Sequence, residues 1–306
     1  MESSRETFTD TAIIELPNRL YKSQDGSLTS ITDKIKINDT VTIQLGYHPL
    51  YNTVFTGYVS NVTPDSPCII KCEDESFKLK QKTVGPISLN NTTIKELIES
   101  VYDGETDIKD AEIGDIRIDQ YATLVNVLDD LRSRFGIRSY FRDGVLTVFK
   151  ELESSGTDRN LHFQRNIIEH SLEFQNTDAL NVISHGVSTQ TDGTKIERFA
   201  YYLDGEIKLT STQPPGVLNT FSWPTLTQAA LDELISKRLP RLYWSGIVGN
   251  LTTFGSPVFI HGDNAVLDDY IYAERRGRYK TKSVNTTFGQ GGYRQTIELD
   301  LKLTDN

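Results

Sequence analysis

The chain has 306 residues, 37% hydrophobic, 9% aromatic and 24% charged, a globular balance with room for two or three compact domains. Its net charge of −10 argues against a surface built to wrap DNA or to lie on anionic lipid, since both need an excess of Lys and Arg. No apolar run approaches the ~20 residues that span a bilayer, and residues 1–10 are polar, without a signal-peptide core.

Thr11–Leu16 is a short apolar run stopped by Pro17 and predicts a strand. Alternation from Ile35 and Ile37 through Val41, Ile43 and Leu45 predicts another, with further strands at residues 54–59 and 68–72. The residues between them are turn formers: Asn, Pro, Asp and Ser. Residues 1–88 therefore read as one small antiparallel β domain, a barrel, without helical period.

The pattern changes near Asn90. Thr93 and Glu96 have the spacing of a capping box, and Ile94, Leu97, Ile98 and Val101 follow at helical intervals. A second helix carries Leu124, Val127, Leu128, Leu131 and Phe135, with Gly136 where a left-handed cap belongs. Residues 137–141 and 145–149 predict two strands joined through Asp143-Gly144, a strong hairpin signal. Residues 89–150 thus read as a small α+β module of helix, helix and hairpin. Ser154, Ser155, Gly156 and Asp158 mark a linker over 151–162.

Strand character resumes after His162, with alternation over 182–188, a turn at Asp192-Gly193 and a loop at Pro214-Pro215-Gly216. A third helix is predicted from Thr225, with Gln228 in the capping-box position, to Leu239, where Pro240 stops it. Its apolar face is Ala230, Leu231, Leu234, Ile235 and Leu239. Strands at 247–254, 257–260, 279–287 and 293–303 complete a second β-barrel domain over 163–306 with one helix inserted.

The two β domains echo each other. Asp39 opens a strand in the first and Asp263 precedes one in the second, and each is followed by two further strands that end near Asp74 and Asp300. The Asp-to-Asp separations, 35 and 37 residues, suggest a duplicated barrel. A chance likeness between antiparallel hairpins is the alternative.

Catalytic constellations are nearly absent. There is no phosphate-binding Walker loop, no HExxH and no Gly-x-Ser-x-Gly. His48, His162, His170, His185 and His261 include no metal-ligand spacing; His162 and His170 could share a strand face, but lack a third ligand. Cys68 and Cys72 also share a strand face and read as reduced, half-buried thiols, too few for a disulfide framework. Glu73-Asp74-Glu75, Asp129-Asp130 and Asp268-Asp269 could serve acid–base chemistry or calcium, but read as solvated faces or, in a pore, as lumen walls. Gly289-Gln290-Gly291-Gly292 lies between strands and reads as a hairpin turn, not a phosphate cradle. Arg275-Arg276-Gly277-Arg278 is the strong basic patch, suited to a partner's carboxylates or simply a loop. No catalytic, cofactor or metal site is predicted.

Three stretches resemble the tail hub proteins of contractile-tailed phages, the late-control D and T4 gene 27 type. The first is Phe55-Thr56-Gly57-Tyr58-Val59-Ser60 with Pro64-Asp65-Ser66-Pro67, Cys72-Glu73-Asp74 and Phe77-Lys78-Leu79-Lys80. The second is the module from Thr93 to Phe149, similar to the LysM-like insert of these hubs, with Asp143-Gly144-Val145-Leu146 at its close. The third runs through Ala229-Ala230, Gly255-Ser256-Pro257, His261-Gly262-Asp263, Gly277-Arg278-Tyr279-Lys280-Thr281-Lys282-Ser283-Val284 and Gly292-Tyr293-Arg294-Gln295-Thr296. Their order matches over nearly the whole chain. The start departs from the pattern, because few residues precede Thr9-Asp10-Thr11-Ala12 where such hubs often have a longer first strand.

The resemblance implies a mainly β fold of two tail-tube-like barrels flanking a LysM-like module. It also implies a homotrimer forming a pseudo-six-fold ring that joins the tail tube and other baseplate proteins to a central tail spike. DNA would pass through the lumen without specific binding, past acidic walls that keep a polyanion from adhering. No needle or lysozyme segment follows Leu303, so the spike is expected as a separate chain. The implied location is the virion tail baseplate, and the host cytoplasm during assembly. The alternatives are the hub of a contractile secretion or injection apparatus, a cell-wall-degrading tail enzyme and a glycan-binding module.

Overall fold

The computed structural model describes every residue except 5, 18–19, 23–25, 27, 143, 151–155, 177–180 and 304–306. Asp143 of the expected hairpin turn and residues 151–155 of the expected linker therefore lie outside the described residues.

The first unit opens with β1 (Glu2–Ser4) and β2 (Thr11–Leu16), then a small ladder of β3 (Leu20–Lys22) with β4 (Leu28–Ser30). β5 (Thr40–Tyr47), β6 (Leu50–Thr63) and β7 (Cys68–Glu73) form an antiparallel meander, and β2 pairs with β7. Period-two alternation sends Cys68, Ile70 and Cys72 inward against Ala12, Phe55 and Val59. The two thiols are free and fully buried, more enclosed than expected. A helix of one turn, α1 (Ser76–Leu79), closes the unit; four residues are too few to display a helical period in sequence.

Next come β8 (Ile87–Thr93), α2 (Ile94–Val101), β9 (Thr106–Ile108), β10 (Glu112–Ile118), α3 (Leu124–Phe135), β11 (Ile137–Arg142) and β12 (Val145–Lys150). The expected capping box is complete: Glu96 N–H donates to Thr93 Oγ1 at 3.3 Å and Thr93 N–H to Glu96 Oε2 at 3.1 Å. Gly136 caps α3 with φ 68°, as expected. The pairing of β8 with β10 was not expected, because register shifts between Glu112 and Ile116 break the alternation of β10.

β13 (Asp158–His162) and β14 (Ile167–Gln175) lead to a four-stranded sheet of β15 (Val182–Thr189), β16 (Lys195–Leu203), β17 (Glu206–Thr210) and β18 (Val217–Pro224), ordered β17-β16-β15-β18. α4 (Gln228–Leu242) follows, capped by Thr227 rather than Thr225, and it continues through Pro240 instead of stopping there. A proline so near the end removes one bond from a last turn that is already incomplete. Ala230, Leu231, Leu234, Ile235 and Leu239 are buried as expected, in one core with α2, α3 and Trp223.

The chain ends with β19 (Gly246–Phe254), β20 (Asn264–Asp268), β21 (Gly277–Gly289) and β22 (Gly292–Leu303). Residues 257–260 form no strand. Instead the buried Gln295 side chain accepts from Phe259 N–H at 2.8 Å and donates to the Pro257 carbonyl at 2.8 Å, replacing a ladder.

Both β units belong to one 11-stranded sheet. Its order is β14-β19-β22-β21-β1-β2-β7-β6-β5, with β20 also on β21 and β13 on β20. The meander β19-β22-β21-β20 repeats β2-β7-β6-β5, each ladder antiparallel. The likeness extends to single atoms. Asp39 Oδ2 accepts from Lys36 N–H at 2.8 Å, and Asp263 Oδ2 from Ile260 N–H at 3.3 Å. Asn38 and Gly262 hold φ of 75° and 83°. The Asp39 and Asp263 carbonyls accept from Val59 N–H and Thr281 N–H, both at 2.9 Å. Val59 faces Cys72 and Thr281 faces Leu299, and each strand then slips register by one residue. In this register Asp300 matches Glu73, and Leu301 matches Asp74.

Candidate functional site

The described residues include a Ser–His–Asp grouping, and the sequence did not signal it because its members lie at opposite ends of the chain. His261 Nδ1 contacts Ser3 Oγ and lies 3.4 Å from Asp10 Oδ2. Nucleophilic catalysis places serine and carboxylate on different ring nitrogens. Here both share Nδ1, while Nε2 is buried without a hydrogen-bond partner and the ring abuts Tyr140 at 4.9 Å. The grouping pins β1 to the 260–263 turn. Beside it, Asp74 Oδ2 accepts from Asp10 N–H at 3.1 Å and Asp74 Oδ1 from Ser76 N–H at 3.0 Å. Burial pushes the Asp74 carboxyl up to about 6, with the Asp10 charge adding to the rise and the bonds from Ser76 and from Asp10 N–H opposing it.

The acidic and basic candidates singled out in the sequence are paired within the chain. Glu73 pairs with Lys80, and Glu75 accepts from Tyr58 Oη at 3.2 Å. Asp129 and Asp130 pair along α3 with Arg132 and Arg134 at 2.6 and 2.8 Å. The basic loop and the acidic loop meet: Arg275 lies 3.5 Å from Asp269, and Arg276 lies 3.3 Å from Asp268. Arg278 pairs with Asp158 at 2.8 Å. Gly289 and Gly292 close the β21–β22 hairpin. His162 approaches Asp268, His170 packs on Phe163, His185 stacks on Phe199 and His48 is exposed. Among the described residues no group of three or more His, Cys, Asp and Glu side chains is arranged to hold a metal. No helix among them is long and apolar enough to cross a membrane.

Exposed apolar surface is concentrated elsewhere. Asp269 is fully buried and accepts from Ile271 N–H at 2.8 Å, Tyr272 N–H at 3.2 Å and Gln164 Nε2 at 2.7 Å. Burial pushes its carboxyl up, but these bonds and Arg275 outweigh that and hold it below the usual range. The result is a fixed loop presenting Tyr270, Ile271 and Tyr272 to solvent. Leu50 and Tyr51 project from the β5–β6 hairpin, Ile37 from its preceding turn, and Ile168 and Phe174 from β14. Large apolar side chains on strand edges mark association surfaces. A Tyr-Ile-Tyr run outside any alternating stretch was the available sequence signal for the first of these.

No protein-family model and no curated protein sequence matches the chain. Solved structures do. The 43 kDa tail protein of prophage MuSo2 from Shewanella oneidensis aligns with TM-score 0.60 and 15% identity, over 97% of this chain and 91% of that one. A tail protein from Neisseria meningitidis MC58 aligns with TM-score 0.61 and 13% identity, over 98% and 90%. The E. coli c3393 protein aligns with TM-score 0.57 and 11% identity, over 98% of this chain and 72% of its own. It is described as a type VI secretion component structurally similar to the T4 tail proteins gp27 and gp5. The chain therefore has the mainly β fold seen in these prophage tail proteins and in c3393.

Proposed function

We propose that the chain is a structural hub subunit of a phage or prophage tail. The carrying observation is the repeated meander, with its matching turn and register slip, in two halves of one continuous sheet. Two similar units per chain let three copies occupy six near-equivalent positions in a ring. Such a homotrimer adapts a six-fold tail tube to a three-fold tail spike and surrounds a DNA channel. The net charge of −10 suits a lumen to which DNA does not adhere. On this reading the two tube-like units flank the central α+β module, and the protein resides in the virion tail baseplate after assembly in the host cytoplasm. The likeness to c3393 favours a second reading, a hub of a secretion apparatus, with the same architecture and a different cargo.

Light scattering with negative-stain microscopy tests the ring. We expect three chains per particle and an open centre. Single chains at every concentration, with no ring forming on added tube protein, would overturn the reading.

A further inference from the structure

Strand β21 has two neighbours on one side. β20 pairs with it as far as Lys280, opposite Asn264, and β1 pairs with Ser283, Val284 and Asn285. The matching strand β6 has only the first kind of neighbour. β5 pairs with it as far as Tyr58, opposite Thr40, and among the described residues no strand lies on that side of Asn61, Val62 and Thr63. Those three are the counterparts of Ser283, Val284 and Asn285, because Asn61 faces Lys71 as Ser283 faces Glu298 after the same slip. One half of the molecule has this edge occupied; the other has it open.

The same correspondence identifies the missing strand. β1 precedes β2 and pairs with it, Glu2 opposite Thr11. In the second unit the strand that precedes and pairs with β19 is β14, with Glu173 opposite Val248. Thr11 and Val248 are counterparts, because the next residues, Ala12 and Gly249, face Cys72 and Leu299. Glu2, Ser3 and Ser4 therefore match Glu173, Phe174 and Gln175. Among the described residues β14 has a partner strand on one side only, at the far end of the sheet order from β6 in its own chain.

We propose that β14 of one copy adds to β6 of the next as an antiparallel strand. The register places Glu173 opposite Thr63, Phe174 opposite Val62 and Gln175 opposite Asn61. This rests on the reading of the chain as a ring-forming subunit and names the contact that joins its copies. The exposed side chains support it independently. At the occupied edge Ser3 contacts His261, the second residue of the 260–263 turn. The counterparts of that pair are Phe174 and Ile37, which are 64% and 55% exposed. Docking brings these two apolar groups together where the occupied edge has a polar pair. Pro64 limits the added ladder. Its counterpart Thr286 donates N–H to the Met1 carbonyl at 2.8 Å, and proline has no N–H to give. Strand addition draws affinity from main-chain bonds and specificity from alternate side chains. One heterologous contact of this kind closes a ring when the rotation per copy permits.

Cysteine cross-linking of the full chain tests the register. The native Cys68 and Cys72 are buried, which leaves introduced thiols as the reactive ones. Phe174→Cys and Val62→Cys proteins, mixed under mild oxidation, should give disulfide-linked dimers that neither variant gives alone. Ser3→Cys with Val284→Cys in one chain is the control and should close internally. Phe174→Asp should reduce the particle mass to that of one chain, 34.5 kDa. Wild-type rings that survive Phe174→Asp and yield no mixed dimer, while the control closes, overturn the strand docking and leave the ring intact. Wild-type single chains that form neither mixed dimers nor a ring on added tube protein overturn both.

Discussion

Asp74 links the polar knot beneath β1 to pH. Its carboxyl is raised from the ordinary 3.8 to about 6 by burial, so the ionised form is the one the fold disfavours. The contribution to stability is fully present below 3.8 and is lost as pH rises through about 6. The shift corresponds to about 3 kcal/mol. Asp74→Asn keeps an oxygen acceptor and removes the titration. We expect wild type to gain about 2–3 kcal/mol on the variant between pH 8 and pH 4. Urea unfolding of both proteins across that range measures the difference, and parallel curves would refute it. Nothing in the sequence pointed to this residue's role. Glu73-Asp74-Glu75 reads as a solvated run, and the separation of 64 positions between Asp10 and Asp74 hides their contact.

At the scale of elements, legibility follows locality. The α2 capping box, the Gly136 cap and the buried face of α4 were readable because each is set by residues within a few positions. β10 was not, because its register shifts break the alternation by which a strand is recognised. The end of α4 was misplaced because a proline in the last turn costs little. Gly57, by contrast, reads as a bare family letter until the ladder is seen. A Cβ there would stand 2.2 Å from the Glu73 carbonyl oxygen, so β6 and β7 can approach only if that position has no side chain. Gly57→Ala should therefore destabilise the first unit by about 2 kcal/mol, the range of overpacked sites. Thermal unfolding monitored at the first unit checks this; an unchanged midpoint would show that the strands can separate without loss.

Across the whole molecule, a three-residue strand joins two units whose likeness was visible in sequence, though their connection was not. The echo of Asp39 in Asp263 marked the repeat, but β1 has no pattern long enough to read and finds its partner about 280 positions away. Its hold on the second unit has two parts: the ladder to β21, extended by Thr286 N–H to the Met1 carbonyl at 2.8 Å, and the Ser3–His261 contact to the 260–263 turn. Two substitutions separate them. Ser3→Ala removes only the side-chain contact and should speed hydrogen exchange at the Thr286 amide a few-fold. Ser3→Pro also removes a ladder donor from the middle of β1, at a cost of about 1–3 kcal/mol, and should speed that amide ten- to hundredfold. Exchange in the β15–β18 sheet should be unchanged in both, since that sheet takes no bonds from β1. Equal, slow exchange of Thr286 in the two variants would mean that packing around Tyr140 and His261, not the strand, couples the halves.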